Sequence, residues 1–390
     1  MITELLLKRL KHSPVVAIQG VRQSGKSTLA RDLFAKNVAG TKYLTFDQPS
    51  VREYAERNPE SFLSEHESVK TLIIDEAQKV PKIFDAIKYL VDQKRRPGQF
   101  LLLGSTEFSK LMKIRESLTG RMSRIRMYPM IMAELLHKPV QLRHPFFLSD
   151  IPQARRSDLL KFLKRGGMPA LFSIRAESEF FKSTEDWIAL SIERDLQQIP
   201  TKKIRSEDAL KVLRSMVELH EPEAGRIANE TRLSPQKVKS ILDALKTLFV
   251  IHEVLPHRLS TGKPRYYLCD PGIATAMGAK FQRQLETAFY LECFSKLNLS
   301  GSLESMSMTY YRTSKGSVIH GIVENDLELS ALKLIPDETI DERELFVLSS
   351  LKDKLLKSSF DKKINLFALA GSAQNRKDLG IKIFTWECLA

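Results

Sequence analysis

The chain opens with helical spacing of apolar positions: Leu5, Leu6, Leu7 and Leu10 mark an amphipathic helix. A short β-branched run, Val15-Val16-Ala17-Ile18, follows and leads directly into Gly20. After Lys26, Leu29, Ala30 and Leu33 share one helical face. Apolar runs at Tyr43 to Phe46, Leu72 to Ile74, Phe100 to Leu103 and Arg124 to Met127 predict further strands. The runs do not alternate with polar residues, and helices separate them. That pattern predicts an α/β domain over residues 1–150, with a parallel sheet covered on both faces.

Residues 151–215 read as helical throughout, and 216–278 change character. A short helix over Ala224 to Glu230 is followed by a turn through Thr231-Arg232-Leu233. Ser234 is a good N-cap, and Pro235 suits the first helical position. Val238, Ile241, Leu242, Leu245 and Leu248 then fall on one helical face, a stripe assigned to the core. Two short strands around a turn with Gly262 and Pro264 complete the outline of a winged helix over residues 221–269. Residues 279–390 are mixed α+β. A helix is predicted near Leu285 to Leu297. Strands are predicted at Met308 to Arg312, Val318 to Val323, Leu327 to Leu334, Leu345 to Leu348, Ile364 to Leu369 and Ile381 to Trp386.

A length of 390 residues suits two or three domains, and 43% hydrophobic residues is ordinary for a globular protein. No apolar run approaches the roughly 18 residues of a membrane span, and no signal peptide is evident. Three scattered cysteines, Cys269, Cys293 and Cys388, argue against a disulfide framework or a zinc cluster. The expected location is the cytoplasm. The net charge of +14 makes a polyanion such as nucleic acid a natural partner.

The sharpest chemical signal is Gly20-Val21-Arg22-Gln23-Ser24-Gly25-Lys26-Ser27, a phosphate-binding P-loop pattern between a strand and a helix, with Thr28 continuing it. Gly20 and Gly25 permit backbone conformations that turn N–H groups toward phosphate oxygens. Lys26 is expected on the β- and γ-phosphates, and Ser27 on Mg²⁺. Leu72-Ile73-Ile74-Asp75-Glu76 is an apolar strand ending in two carboxylates. Asp75 is expected to hold Mg²⁺ through water, and Glu76 to orient the attacking water. The strand Phe100 to Leu103 runs into Gly104-Ser105-Thr106. Ser105 is the candidate sensor between the carboxylate and the γ-phosphate, or else a capping hydroxyl. In Glu116-Ser117-Leu118-Thr119-Gly120-Arg121, Arg121 is the candidate arginine finger acting in trans, with Arg115, Arg124 and Arg126 as rivals. A trans finger implies a homo-oligomer.

These strings resemble a known family. The P-loop from Ile18 to Thr28, Asp75 to Pro81, Leu103 to Thr106, Glu116 to Arg121 and Pro129 to Leu135 are similar to bacterial and archaeal AAA-type ATPases of the AAA_14 kind with a DUF4143 region. So are the later Gly166-Gly167-Met168-Pro169, Glu193-Arg194-Asp195 and Pro264 to Gly272. The resemblance covers residues 5–275. It implies ATP hydrolysis and an AAA+-like domain with a five-stranded parallel sheet, followed by a helical region and a winged helix. Many such proteins end in a nuclease-like fold whose carboxylates and lysine bind metal. Here His320 stands at the aspartate position, and Ala331-Leu332-Lys333 keeps only the lysine. The resemblance therefore implies a nuclease-like scaffold without its ligands, and no nuclease activity is predicted.

A winged helix presents its second helix to DNA. Arg232, Lys237 and Lys239, with Lys263 and Arg265 on the wing, are the candidate phosphate contacts. Two functions follow: a DNA-associated ATPase, or a nucleotide-controlled switch that acts on a protein partner without DNA.

Overall fold

The computed structural model describes residues 2–110, 118, 120–142, 146–199, 204–301, 308–357, 362–372 and 380–390. It divides into two compact units. The first comprises residues 1–128, 193–203 and 244–250, and the second 129–192, 204–243 and 251–390.

The first unit is built on five parallel strands: β1 (Val15–Gln19), β2 (Thr41–Thr45), β3 (Thr71–Asp75), β4 (Phe100–Gly104) and β5 (Met122–Arg126). Their order across the sheet is β2-β3-β4-β1-β5. Alternate residues of β1, β3 and β4 enter opposite apolar cores. Val15, Ala17, Leu72, Ile74, Phe100 and Leu102 pack with Phe62, Ile83, Phe84 and Ile87 of the helices Pro59–Ser64 and Ile83–Gln93. Val16, Ile18, Ile73, Leu101 and Leu103 pack with Leu6 and Leu10 of the helix Ile2–His12. Burial on both faces is why these strands read as unbroken apolar runs.

The helix after Lys26 departs from the expected face. Lys26–Thr28 is a single α-turn, and Leu29–Ala35 winds as a π-helix. The wider turn brings Phe34 under Leu29, so Leu29, Ala30 and Phe34 are buried while Leu33 is 55% exposed.

In the second unit the predicted helical stretch holds the helices Arg156–Arg165, Glu177–Leu190 and Ser206–Glu218. The helix Ala224–Thr231 follows, and then Pro235–Thr247, whose residues from 244 on belong to the first unit; the apolar stripe from Val238 to Leu248 is buried as expected. The wing strands β6 (Ile251–Pro256) and β7 (Arg265–Leu268) do not stand alone. They join β8 (Met308–Arg312), β9 (Val318–Glu324), β10 (Glu328–Leu334), β11 (Lys363–Ala370) and β12 (Ile381–Thr385) in one mixed sheet. Its order is β12-β11-β10-β9-β8-β6-β7, and β6 runs parallel to β8.

One predicted strand is a helix. Leu345 to Leu348 lies inside Glu342–Lys357. Leu345, Leu348, Leu351 and Leu355 are buried at helical spacing, while Phe346 is 70% exposed. A four-residue window looks extended because it is apolar; the period becomes visible only across three turns.

Three of the quoted sequence signatures meet in this unit. The Asp270 carboxylate is fully buried and accepts hydrogen bonds from Gly167 N–H at 2.6 Å, Gly272 N–H at 2.8 Å and Ile273 N–H at 3.1 Å. Gly167 in turn accepts from Met130 N–H at 2.8 Å. These motifs therefore carry architecture. Burial pushes the Asp270 carboxyl up to about 6, against the pull of the N–H groups. Because its folded value lies above that of an unfolded aspartate, folding is expected to weaken as the pH rises from about 4 to about 6. Asp270→Ala strands three buried donors and is expected to cost on the order of 3 kcal/mol. Chemical denaturation of the variant and the parent protein across that pH range checks both statements.

Candidate nucleotide site

The loop after β1 is shaped by two glycines for different reasons. Gly25 sits at φ +96°, a left-handed conformation that opens the turn into Lys26. Gly20 has no such φ. A Cβ there would stand 2.0 Å from the Met127 carbonyl oxygen, so the requirement is close approach of two backbones. Gly20 N–H donates to Gly104 at 3.3 Å, and Met127 N–H donates to Gln19 at 2.7 Å. The loop is thereby pinned between the carboxyl ends of β4 and β5. Gln23 at φ +62° bends it further, and Gln23 and Thr28 face solvent.

Lys26 is buried beneath the loop. Its ammonium donates to the carbonyls of Gly20 and Val21, each at 2.8 Å. Burial draws it down to about 8, with Glu76 and Asp75 pulling the other way.

At the end of β3 the two carboxylates separate in role. Asp75 is 3% exposed and accepts from the Tyr43 hydroxyl at 2.5 Å and from Glu76 N–H at 2.9 Å. Tyr43 thus reaches from β2 to one of the residues expected to hold the metal. Glu76 adopts φ +56°, a left-handed conformation uncommon for a residue other than glycine. Burial pushes its carboxyl up, while Lys26 holds it back. Gln78 donates to Glu76, and Ser105 donates to it at 3.3 Å. Gln78 also donates to Ser105 at 3.2 Å.

Lys26, Asp75, Glu76 and Ser105 thus lie at one edge of the sheet. Gln78 and Tyr43 were missed as site residues. The signal for Gln78 was its place two residues after Glu76; for Tyr43 it was only a strand position, and no pattern marks that. Ser24 Oγ and Thr106 Oγ1, two hydroxyls able to donate, are buried at this edge with no hydrogen-bond partner, which fits a polyanionic ligand. No group of three metal-binding side chains occurs among the described residues.

Arg121 lies at the other edge. It immediately precedes β5, whose first residue pairs with the first residue of β1. Its guanidinium grips Asp92, with contacts of 2.5 and 2.8 Å. Of its rivals, Arg126 stacks 4.8 Å from both the Tyr128 and Phe249 rings, and Arg124 is exposed. Arg115, and Glu116, Ser117 and Thr119 of the preceding motif, lie outside the described residues.

In the basic module one placement is corrected. Arg265 does not face a ligand. It is 2% exposed, pairs with Glu221 at 2.5 Å and stacks over the Tyr310 ring at 4.4 Å. Local spacing in the sequence does not tell such a strand cation, packed on a distant ring, from an exposed wing cation. Lys237 pairs with Asp208 at 2.6 Å. Arg232, Lys239 and Lys263 are exposed. In the last third, His320 is buried, accepts from Leu334 N–H at 3.0 Å and lies 3.6 Å from Glu286. Lys333 pairs with Glu344 at 2.5 Å. No helix among the described residues is long and apolar enough to cross a membrane.

Comparison with known proteins agrees with the first unit's architecture. Residues 12–136 match the AAA domain family AAA_14. Residues 156–284 match a domain of unknown function, DUF8612, in place of the DUF4143 region that the sequence resembles. An uncharacterized protein of Mycobacterium tuberculosis is 25% identical over 331 residues, covering 82% of this chain and 69% of the relative. An uncharacterized protein of Mycobacterium bovis matches with the same figures. A solved structure, the Walker-type ATPase of Pyrococcus abyssi, is 14% identical with a TM-score of 0.43 over 70% of this chain and 94% of that one. The chain carries an AAA_14-type AAA domain, a P-loop nucleotide-binding domain, followed by a DUF8612 region.

Proposed function

We propose that this chain binds ATP with Mg²⁺ and hydrolyses it. The observation that carries the reading is the convergence of Lys26, Asp75, Glu76 and Ser105 at the edge of the sheet from which the P-loop springs. Loop N–H groups from Gly20 to Ser27 would cradle the phosphates. Lys26 would exchange the carbonyls of Gly20 and Val21 for phosphate oxygens. Ser27 and, through water, Asp75 would hold the Mg²⁺, which neutralises developing phosphate charge. Glu76, kept in place by Gln78 and Ser105, would orient a water for in-line attack.

Arg121 stands a full strand length from its own P-loop, so a finger role requires a neighbouring subunit. Asp92 must release it first. The active form in this reading is a homo-oligomer.

What the hydrolysis drives has two readings. The DNA-associated motor rests on three exposed cations, Arg232, Lys239 and Lys263. The switch acting on a protein partner is favoured by the burial of Arg265 against Glu221 and by the pairing of Lys237 with Asp208.

Lys26→Ala is expected to lose nucleotide affinity. Glu76→Gln is expected to keep affinity and lose turnover by roughly a hundredfold or more. Fluorescent-nucleotide titration and phosphate release measure the two; normal turnover in Glu76→Gln removes that residue from its role. Arg121→Ala is expected to bind ATP without hydrolysing it, and mixing it with Glu76→Gln should restore part of the turnover in shared interfaces. No recovery on mixing counts against a trans finger. Phosphate release with and without duplex DNA separates the motor from the switch: a rate indifferent to DNA favours the switch.

A further inference from the structure

The signature Glu193-Arg194-Asp195 contributes nothing to the scheme above, yet Asp195 reaches the P-loop. Arg22, the third residue of the loop, donates to Asp195 through Nε at 2.6 Å and through its terminal nitrogen at 3.1 Å. The two side chains are 25% and 9% exposed. Asp195 stands at the N-cap of the short turn Leu196–Gln198, where an aspartate ordinarily accepts from the backbone. Its side chain makes no such bond and is given to Arg22 instead. Its charge is felt at Lys26, within the phosphate cradle itself.

This arrangement places a carboxylate beside a site built for a polyanion, with one guanidinium between them. A planar guanidinium fits a phosphate as well as it fits a carboxylate. We propose that the Arg22–Asp195 pair is a nucleotide-responsive latch: the phosphates of a bound nucleoside triphosphate compete with Asp195 for Arg22, and segment 193–199 is released when they win. The inference rests on the nucleotide-binding reading above and names what that binding changes. Because both residues belong to the first unit, the latch reports occupancy of the loop to the segment that precedes residue 204 in the chain.

The latch makes an unusual demand on its two halves. Removing the carboxylate frees Arg22 for phosphate and takes a negative charge from the cradle. Asp195→Asn should therefore bind ATP more tightly, on the order of three- to tenfold. Arg22→Gln leaves Asp195 facing the phosphates alone and should bind ATP more weakly by a similar factor. A tie that merely holds the fold together predicts weakening in both. Titration of a fluorescent ATP analogue in Mg²⁺ reads the signs. Hydrogen exchange of the unmodified protein supplies an arm that needs no variant: ATP should raise exchange across residues 193–199. Shifts in the same direction, or exchange there unchanged by ATP, overturn the latch while nucleotide binding stands. An unmodified protein that does not bind the analogue overturns both.

Discussion

The first unit depends on one constraint: its parallel sheet is buried on both faces. The residues of the central strands β1, β3 and β4 go to one apolar core or the other, so the polar groups of these strands lie at their ends. A Val, Leu or Ile removed from water contributes roughly 1.5–3 kcal/mol, and the faces therefore tolerate no chemistry. Polar residues collect where the strands stop. Because all five strands are parallel, their carboxyl ends meet along one edge, and Gln19, Asp75 and Gly104 deliver the loops that follow to the same line. A ligand site at that edge is a consequence of sheet direction.

The second unit spends much of its charge internally. Glu221 receives Arg226, Arg265 at 2.5 Å and Arg312 at 2.6 Å. Burial opposes ionisation of Glu286, yet Arg283 and His320 hold it down at about 2. Lys296 and Glu292, each 1% exposed, pair at 3.1 Å. Removing one partner of such a buried pair is far costlier than removing both, since the survivor is left charged and dry. A basic composition read as an external attraction for polyanions is therefore partly consumed within the fold.

Local spacing made the first unit legible. The apolar runs placed its strands to within a few residues, and the P-loop pattern together with Asp75-Glu76 pointed to the edge where they converge. Legibility failed where non-local geometry decides. The π-helical widening after Thr28 exchanged Leu33 for Phe34. Leu345 to Leu348 is apolar enough for a strand, and only the spacing out to Leu355 identifies a helix. Arg265 has the spacing of a wing cation, but the ring it packs on, Tyr310 of β8, lies forty-five residues on. Tyr43 and Asp195 reach the site from 16 and 168 residues beyond Ser27, distances across which no spacing rule operates.

The segments 193–203 and 244–250 belong to the same unit as residues 1–128. During synthesis, then, the unit that carries the P-loop is still missing pieces when its sheet is finished. At roughly 5–20 residues per second, the last piece leaves the ribosome on the order of ten seconds after β5. For the first part of that interval Arg22 has no Asp195 to hold it, and the sheet waits, assembled but not closed, for chain that has not yet been made.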